Sequence, residues 1–415
     1  MRVGLLTQWY DPEPGPAALP GVLARGLVAR GHEVQVLTGF PNYPTGVIAP
    51  GYTMQRALDQ VLDGVKIRRV ALYANHDASA VGRIANYASF GASAVVSGLG
   101  CLRGLDALWV NYSPITVAWP MWAARFGLRI PVVSHVLDLW PDTLLAGGFT
   151  RSGRAYRLAE SGLNSWCRAM YGASDSVAFI SPGVGPILRE RGVPAEKLHY
   201  VPMWADETIF RPIDDHLRAE FGVSDESIVL LYAGALGEAQ GLLTLIDACA
   251  QITDRRFLCL IAGSGISEAS LRAHAEEVGA TNVRFLGRLP QKQMTILMAT
   301  GDFNYVGLRP HPLSTITMPS KTQASFAAGR AILAAAEGDV AKVIRDSGAG
   351  FVADPGDSAT IAMAIRSACN LGRAGLHDMG ARARSYYEPT FSTERGITSV
   401  ESLLEKAAAT TRRAP

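Results

Sequence analysis

Residues 318–329 carry the residue types that could bind a phosphate group. Pro319 and Ser320 indicate a helix start, because proline fits the first helical turn and serine can cap free amides. The first turn of a helix offers unpaired N–H groups and a partial positive charge, and Lys321 would add a full charge there. Gly329 indicates the helix end. The segment therefore predicts a diphosphate site, with an ordinary surface helix and a solvated lysine as the alternative.

Three further loops that follow predicted strands could contact a ligand. Loop 234–241 is rich in glycine, which either lets the backbone approach a ligand closely or simply makes a turn. Asp138 stands at the end of a strand, where its carboxylate could bind a ligand, whereas Pro141 and Asp142 suit a helix start. The loop at Gly15 lacks the pattern Gly-x-Gly-x-x-Gly, so the dinucleotide fingerprint is absent.

His135 is a candidate for a base in the strand that leads to Asp138. Alternate side chains of a strand face the same side of the sheet, so a packed core histidine is the alternative role. No Ser/His/Asp constellation with a recognisable local motif occurs in the sequence. The sequence therefore gives no sign of catalysis by an activated serine.

The composition excludes several classes of protein. The chain has 415 residues, of which 48% are hydrophobic and 18% charged, so it can bury large cores in two or three domains. Its net charge of +2 argues against a nucleic-acid binder with a dense basic face. The five widely spaced cysteines argue against zinc and indicate a reducing compartment. No apolar segment reaches the roughly 20 residues of a membrane span. Segment 84–99 predicts a core or interface helix, with shallow membrane contact or a groove for a lipid acceptor as the alternative.

The order of the predicted elements indicates two α/β domains. Near-continuous apolar strands alternate with helices in both halves, which predicts two doubly wound parallel sheets. A polar break at 204–215 gives a first domain of residues 1–203 and a second of residues 204–385. Segment 386–415 contains an amphipathic helix that we expect to cross back to the first domain. Ligands of such sheets bind at the carboxyl ends of strands, so we expect the ligand in a cleft between the two facing sheets.

Short motifs along the whole chain resemble those of the GT-B retaining glycosyltransferases of family 4. The chain is most similar to the family's sugar transferases for bacterial polysaccharides and secondary-metabolite glycosides. Each motif is weak alone, and their order and intervals make the resemblance specific. The motifs are Tyr10-Asp-Pro-Glu-Pro-Gly, Arg30-Gly-His-Glu-Val, Phe40-Pro-Asn-Tyr-Pro, Asp138-Leu-Trp-Pro-Asp, Tyr232-Ala-Gly-Ala-Leu-Gly, Ala262-Gly-Ser-Gly, Phe285-Leu-Gly and Pro319-Ser-Lys.

The resemblance implies a nucleotide-sugar co-substrate bound mainly by the second domain, with no cofactor and no metal. The donor would be a UDP-sugar of the hexose or GlcNAc type. The acceptor would be a hydroxyl of a small molecule or a lipid-linked saccharide on the first domain. The protein would be cytoplasmic or peripheral at the inner face of the cell membrane.

The resemblance also implies the site residues. Asp138 and Lys321 would be catalytic. The donor would contact Gly15, Pro16, Gly234, Gly237, Gln240, Gly263, Leu286, Arg288, Arg309, Pro319, Ser320, Lys321 and Gln323. The acceptor would contact Tyr10, Asn42, Tyr43, Asn111, His135 and Trp140.

The sequence departs from the family at positions that would face the donor. Ile316 and Ala324 stand where the family often has two glutamates, so Gln323 or Thr322 would have to contact the ribose. Ala235 and Gln240 likewise stand where an arginine and a lysine are common, so Lys321 with Arg288 or Arg309 would have to supply the positive charge. These losses leave two alternatives open. One is a non-catalytic nucleotide-sugar-binding partner subunit, and the other is an enzyme with an altered reaction, an epimerase or a pseudo-glycosidic coupling enzyme.

Overall fold

The computed structural model describes residues 1–75, 80–142, 154–213 and 215–413 of the chain. The chain divides into two compact units, one formed by Met1–Pro202 with Gly396–Pro415 and the other by Met203–Arg395. Each unit is built on one sheet of mostly parallel strands with helices packed against it. The predicted α/β fold with two parallel sheets is confirmed.

The first unit contains an eight-stranded sheet in the order β3-β4-β2-β1-β5-β6-β7-β8. Its central strands are buried on both faces because helices cover them, which explains their unbroken apolar sequences. The strands are β1 (Arg2–Leu6), β2 (Glu33–Gly39), β3 (Ala57–Leu62), β4 (Val65–Val70), β5 (Ala107–Asn111), β6 (Val132–Val136), β7 (Ser176–Phe179) and β8 (Leu198–Tyr200). The helices are α1 (Leu19–Ala29), α2 (Ala80–Ser93), α3 (Ala118–Trp122), α4 (Arg154–Ala173) and α5 (Val184–Glu190).

The β3–β4 hairpin is an element that we did not predict. Its two strands pair antiparallel and are joined by Asp63 and Gly64, both of which have positive φ. An Asp-Gly pair with two positive φ values is the preferred two-residue hairpin turn, because its twist matches that of the strands. The turn signal was therefore present in the sequence. Asp59 and Gln60 interrupt the apolar sequence of β3, which lies partly exposed at the edge of the sheet, so the strand itself was less easy to recognise.

Segment 84–99 is helical and only partly buried. Phe90 and Ala94 lie in the core, whereas Ile84 and Val96 are exposed. The predicted core helix is therefore present, and apolar side chains are exposed on its outer side. None of the helices in the described ranges has the length and hydropathy needed to cross a bilayer.

The second unit contains a six-stranded parallel sheet in the order β11-β10-β9-β12-β13-β14. The strands are β9 (Ile228–Ala233), β10 (Phe257–Ala262), β11 (Val283–Gly287), β12 (Phe303–Gly307), β13 (Ala331–Ala335) and β14 (Gly350–Ala353). The helices are α6 (Leu242–Ala250), α7 (Glu268–Glu277), α8 (Met294–Thr300), α9 (Ser320–Ala327), α10 (Gly338–Ser347) and α11 (Ser358–Thr390). The chain reverses its direction of winding between β11 and β12, so the carboxyl ends of β9 and β12 form a switch point where such sheets bind ligands.

The last helix, α12 (Thr393–Arg413), packs on the first unit. Arg30, which follows α1, pairs with Glu401 of α12, and His32 Nε2 lies 2.6 Å from the same carboxylate. We expected this segment to leave the second unit at residue 386. Residues 386–395 stay with the second unit instead, because Tyr386 and Phe391 pack around the buried ring of Phe326.

Candidate active site

Lys321 lies in the first turn of α9 with no carboxylate partner in the described part of the chain. Its side chain is half-buried, and desolvation lowers the pKa of its ammonium. The N-cap position of α9 is Pro319, whose side chain makes no hydrogen bond to the first helical amides. A desolvated cation beside helical N–H groups is an arrangement that attracts an anion.

Tyr232 and Gly234 hold the Lys321 side chain in place. The Lys321 ammonium lies 5.2 Å from the centre of the Tyr232 ring, within the range of a cation–π interaction. The Tyr232 hydroxyl donates to the Ala235 carbonyl at 2.5 Å and so also fixes the start of the glycine loop. A Cβ at Gly234 would lie 2.5 Å from Lys321 Cε, so only glycine leaves room for the lysine. Sequence reasoning missed Tyr232, although it is the first residue of a motif that carried the resemblance.

The loops after β9, β10 and β11 pack directly against one another. Gly234 donates its amide to the Ala262 carbonyl at 2.9 Å, and Gly263 donates to the Gly287 carbonyl at 2.8 Å. A Cβ at Gly263 would lie 1.8 Å from the Gly234 carbonyl oxygen, a distance that no side chain can tolerate. The predicted residues Gly234 and Gly263 therefore lie together at the carboxyl edge of the sheet. Glycine is needed there first of all because the backbones of the loops pack closely.

The loop after β12 joins the glycine loop through Arg309. Its amide donates to the Ala239 carbonyl at 2.8 Å, and its guanidinium pairs with Glu238, with both side chains mostly exposed. Gln240 Oε1 accepts from the Gly237 amide at 3.2 Å and closes a short turn. Exposed ion pairs are weak, so a bound anion could compete with Glu238 for Arg309.

The predicted ribose contacts do not reach solvent. Thr322 and Gln323 are both buried, and within the described ranges the Thr322 hydroxyl and Gln323 Oε1 have no hydrogen-bond partner. The amide of Gln323 is enclosed within the unit, and its contact with a donor stays a prediction. Ile316 is half-buried and Ala324 is buried. Both are apolar, so neither side chain could form a hydrogen bond with a ribose hydroxyl.

The remaining predicted donor residues are accessible to different degrees. Ser320 and Arg288 are exposed, and Leu286 is half-buried against the core. Gly15 is exposed in the first unit with a φ of +67°, and nothing lies within 4 Å of where its Cβ would be. The side chain of Pro16 lies outside the described part of the structure. An open glycine backbone of this kind leaves room for a ligand to approach.

Asp138 is the predicted catalytic residue that the first unit presents to solvent. It follows β6, and its carboxylate accepts from the Ser113 hydroxyl, which follows the neighbouring β5, at 2.8 Å. Surrounding protein desolvates the carboxylate and raises its pKa, although the Ser113 hydrogen bond opposes the shift. Asp138 is thus a reachable carboxylate held in a defined orientation.

Tyr10 and Asn42 are internal residues. Both are buried, and the Glu13 carboxylate accepts from the backbone amides of Tyr10 at 3.0 Å, Asn42 at 2.8 Å and Tyr43 at 2.9 Å. Burial raises the pKa of Glu13, and these amide bonds partly offset the effect. The contacts of Tyr10 and Asn42 with an acceptor stay predictions. Glu13, which we did not select, joins the loops after β1 and β2.

Asn111, His135 and Trp140 are likewise buried. Asn111 donates to the Thr7 hydroxyl at 3.2 Å, and His135 Nε2 lies 2.8 Å from the Val201 carbonyl. Burial lowers the pKa of His135 to about 4, so the ring is neutral near pH 7. The contacts of these three residues with an acceptor stay predictions, and the burial of His135 favours its alternative role as a core histidine.

Tyr43 belongs to a half-buried aromatic group that also contains Trp9 and Tyr87. The Trp9 ring centre lies 6.4 Å from that of Tyr43 and 6.2 Å from that of Tyr87, both in edge-to-face geometry. Burial raises the pKa of Tyr87, Arg83 opposes the shift, and the charge of Asp138 adds to it. No sequence pattern signalled this group, because its members come from three separate segments.

Family models and a curated relative match most of the chain. The family model described as "Glycosyl transferase 4-like domain" matches residues 15–204, and the model described as "Glycosyl transferases group 1" matches residues 214–386. A curated relative, "Putative colanic acid biosynthesis glycosyl transferase WcaI" of Escherichia coli (strain K12), is 26% identical over 328 residues, which cover 77% of this chain and 79% of that protein.

Solved structures share the fold over nearly the whole chain. Sucrose-phosphate synthase from Thermosynechococcus elongatus superposes with a TM-score of 0.72 at 18% identity and covers 99% of both chains. Anabaena HepE in complex with UDP-glucose gives a TM-score of 0.68 at 17% identity, over 98% of this chain and 100% of that one. The two consecutive family matches and the shared fold show that the chain belongs to the family 4 glycosyltransferases and has their GT-B fold.

Proposed function

We propose that this glycosyltransferase moves a hexose or N-acetylhexosamine from a UDP-sugar to a hydroxyl group, with retention and without a metal. The observation that carries the proposal is the desolvated Lys321 at the start of α9, placed against Gly234 and without a carboxylate partner among the described residues. A relative of the same fold, HepE, was crystallised with UDP-glucose, which supports a uridine donor. The acceptor we propose is a hydroxyl of a lipid-linked or small-molecule saccharide in bacterial glycan or natural-product biosynthesis.

Lys321 and the helix amides would act on the leaving group. Transfer breaks the bond between the anomeric carbon and the diphosphate oxygen, and it forms a bond from that carbon to the acceptor oxygen. Negative charge grows on the diphosphate, and preorganised donors and cations stabilise it without reorganising. The leaving phosphate oxygen takes the acceptor proton on the same face, so this route needs no separate base.

Asp138 and the aromatic group would serve the acceptor. Sugar rings present apolar faces that pack on aromatic side chains, and Trp9, Tyr43 and Tyr87 supply such a surface. The Asp138 carboxylate, oriented by Ser113, could accept a hydrogen bond from an acceptor or sugar hydroxyl. These contacts are a proposal for substrate positioning, with Lys321 supplying the electrostatic stabilisation.

Donor binding is the direct test. We expect calorimetry with UDP, GDP and TDP and their common sugars to show a response to UDP and UDP-sugars, unchanged when magnesium is replaced by EDTA. The Lys321→Ala variant should lose most of this affinity, because the diphosphate loses its charged partner. A response that requires magnesium would overturn the metal-free proposal. No response to any nucleotide would favour the altered-reaction or binding-subunit alternatives.

The pH dependence of UDP binding tests the lysine separately. Desolvation lowers the Lys321 pKa below its ordinary 10.5, so the ammonium loses its charge at a lower pH than a solvated lysine does. We therefore expect UDP affinity to fall as pH rises toward that lowered pKa. In Lys321→Arg the fall should vanish, because a guanidinium keeps its charge over this range. The same alkaline loss in both proteins would assign it to another group.

A further inference from the structure

The end of β9 places an aromatic ring against the Lys321 ammonium. Alternate residues of a strand face one side of the sheet, so Ile228, Leu230 and Tyr232 point into the same hydrophobic core. Tyr232 is fully buried, and its ring centre lies 5.2 Å from Lys321 Nζ. The ring of Tyr305 in β12 also packs on it, with the ring centres 6.4 Å apart. The Tyr232 ring is therefore enclosed by the core and contacts the lysine.

Two further contacts keep the ring and the ammonium together. The Tyr232 hydroxyl donates to the Ala235 carbonyl at 2.5 Å, which satisfies the polar end of a buried tyrosine. A Cβ at Gly234 would lie 2.8 Å from Lys321 Nζ and 3.4 Å from the Tyr232 hydroxyl oxygen, so the bare backbone of this glycine passes close to both groups. The ring, the start of the glycine loop and the lysine thus form one packed group.

The charge of Lys321 has to be stabilised by something other than a carboxylate. Desolvation disfavours the ammonium, and Lys321 has no carboxylate partner among the described residues. A carboxylate would offset the desolvation, but it would also neutralise the ammonium and repel a diphosphate. The negative face of an aromatic ring attracts a cation and carries no net charge. The ring therefore stabilises the charged lysine and leaves its full charge available to an anion.

We propose that Tyr232 is a positioning residue for the transfer reaction, whose ring holds the Lys321 ammonium, without neutralising it, where the diphosphate binds. This inference rests on the proposed function, in which Lys321 stabilises the diphosphate. Tyr232 is fully buried and would act through the lysine rather than touch the reacting atoms. The effect of losing the ring should therefore depend on the presence of Lys321.

A double-mutant cycle on the full chain tests this role, with calorimetric binding of UDP as the readout. Tyr232→Leu removes the ring and should weaken UDP binding roughly two- to thirtyfold, the range of a cation–π interaction. In the Lys321→Ala background the same substitution should weaken binding by less than about twofold, because the ammonium is already absent. Tyr232→Phe keeps the ring and should bind UDP almost as tightly as the parent.

Control variants separate the ring from the general effect of truncating the core. Phe303→Leu makes a comparable truncation in the same core at the amino end of β12, and it should leave UDP affinity unchanged. Tyr232→Met replaces the ring with a flexible apolar chain and serves as the second variant if Tyr232→Leu fails to fold.

The outcomes of the cycle are distinct. The proposal is overturned if the loss of the ring leaves UDP affinity unchanged, or if it weakens binding by the same factor with and without Lys321. Equal weakening in Tyr232→Phe and Tyr232→Leu would also overturn it, because the hydroxyl and not the ring would then be responsible. A parent protein that binds no UDP would overturn the proposed function together with this inference, whereas the other results leave the proposed function standing.

Discussion

Lys321→Ala is expected to lower turnover by two orders of magnitude or more while leaving the fold intact. Removing one preorganised donor from a developing oxyanion typically costs about 3–4 kcal/mol in the barrier. Lys321 lacks a carboxylate partner in the described ranges and is partly desolvated, so its charge contributes little to folding. We expect the variant to unfold at the same temperature as the parent or slightly higher, which separates a catalytic role from a structural one.

Product formation from a UDP-sugar, followed beside thermal unfolding, checks this result. The matched control is Lys342→Ala, which removes an exposed lysine that pairs with Asp346 on α10. Its turnover should stay close to that of the parent, because exposed ion pairs contribute little. Turnover near the parent value in Lys321→Ala would remove the main support for the proposed mechanism. A matching fall in unfolding temperature would instead assign the lysine a structural role.

Much of the fold was predictable because buried parallel strands have continuous apolar sequences. The apolar sequences of β9 and β13 end near a glycine or a helix-start signal, and both segments are strands in the structure. The β3–β4 hairpin was missed because β3 is an edge strand whose apolar sequence is interrupted by Asp59 and Gln60. The continuation of α11 beyond Gly372 is not evident from the sequence, because a glycine often marks a helix end, whereas here the chain bends and continues as a helix.

The sequence predicts site residues well where the backbone geometry permits only one residue type. It predicts them less well where a side chain can lie either in the core or in solvent. Gly234 and Gly263 lie together because no Cβ fits between their loops. A motif does not say which way a side chain points, so His135 and Asn42 were assigned to a ligand although both are internal. Lys321 contacts Tyr232 and Glu13 contacts Asn42, both distant in sequence, so only the folded chain shows these partners.

Asp302→Ala is expected to cause the largest loss of stability in the second unit, about 3–5 kcal/mol. The Asp302 carboxylate is the buried partner of Arg218, whose guanidinium is almost fully enclosed, and it also accepts from the Val229 amide and Arg373. Taking one partner from a buried pair leaves the other charge without compensation, which costs far more than the net contribution of the pair. The amide of Val229 loses its acceptor at the same time.

Calorimetric unfolding measures this loss, since 1 kcal/mol shifts the Tm of a unit of this size by about 2–4 °C. The transition of the second unit should therefore fall by roughly 6–20 °C. Asp346→Ala is the control, because it breaks the exposed ion pair with Lys342 and should change the free energy of unfolding by less than about 1 kcal/mol. Asp302→Asn should fall between the two, because the amide oxygen still accepts one hydrogen bond while the charge is lost. An Asp302→Ala protein as stable as the control would mean that Arg218 finds another partner or water, and that the pair does not hold the unit together.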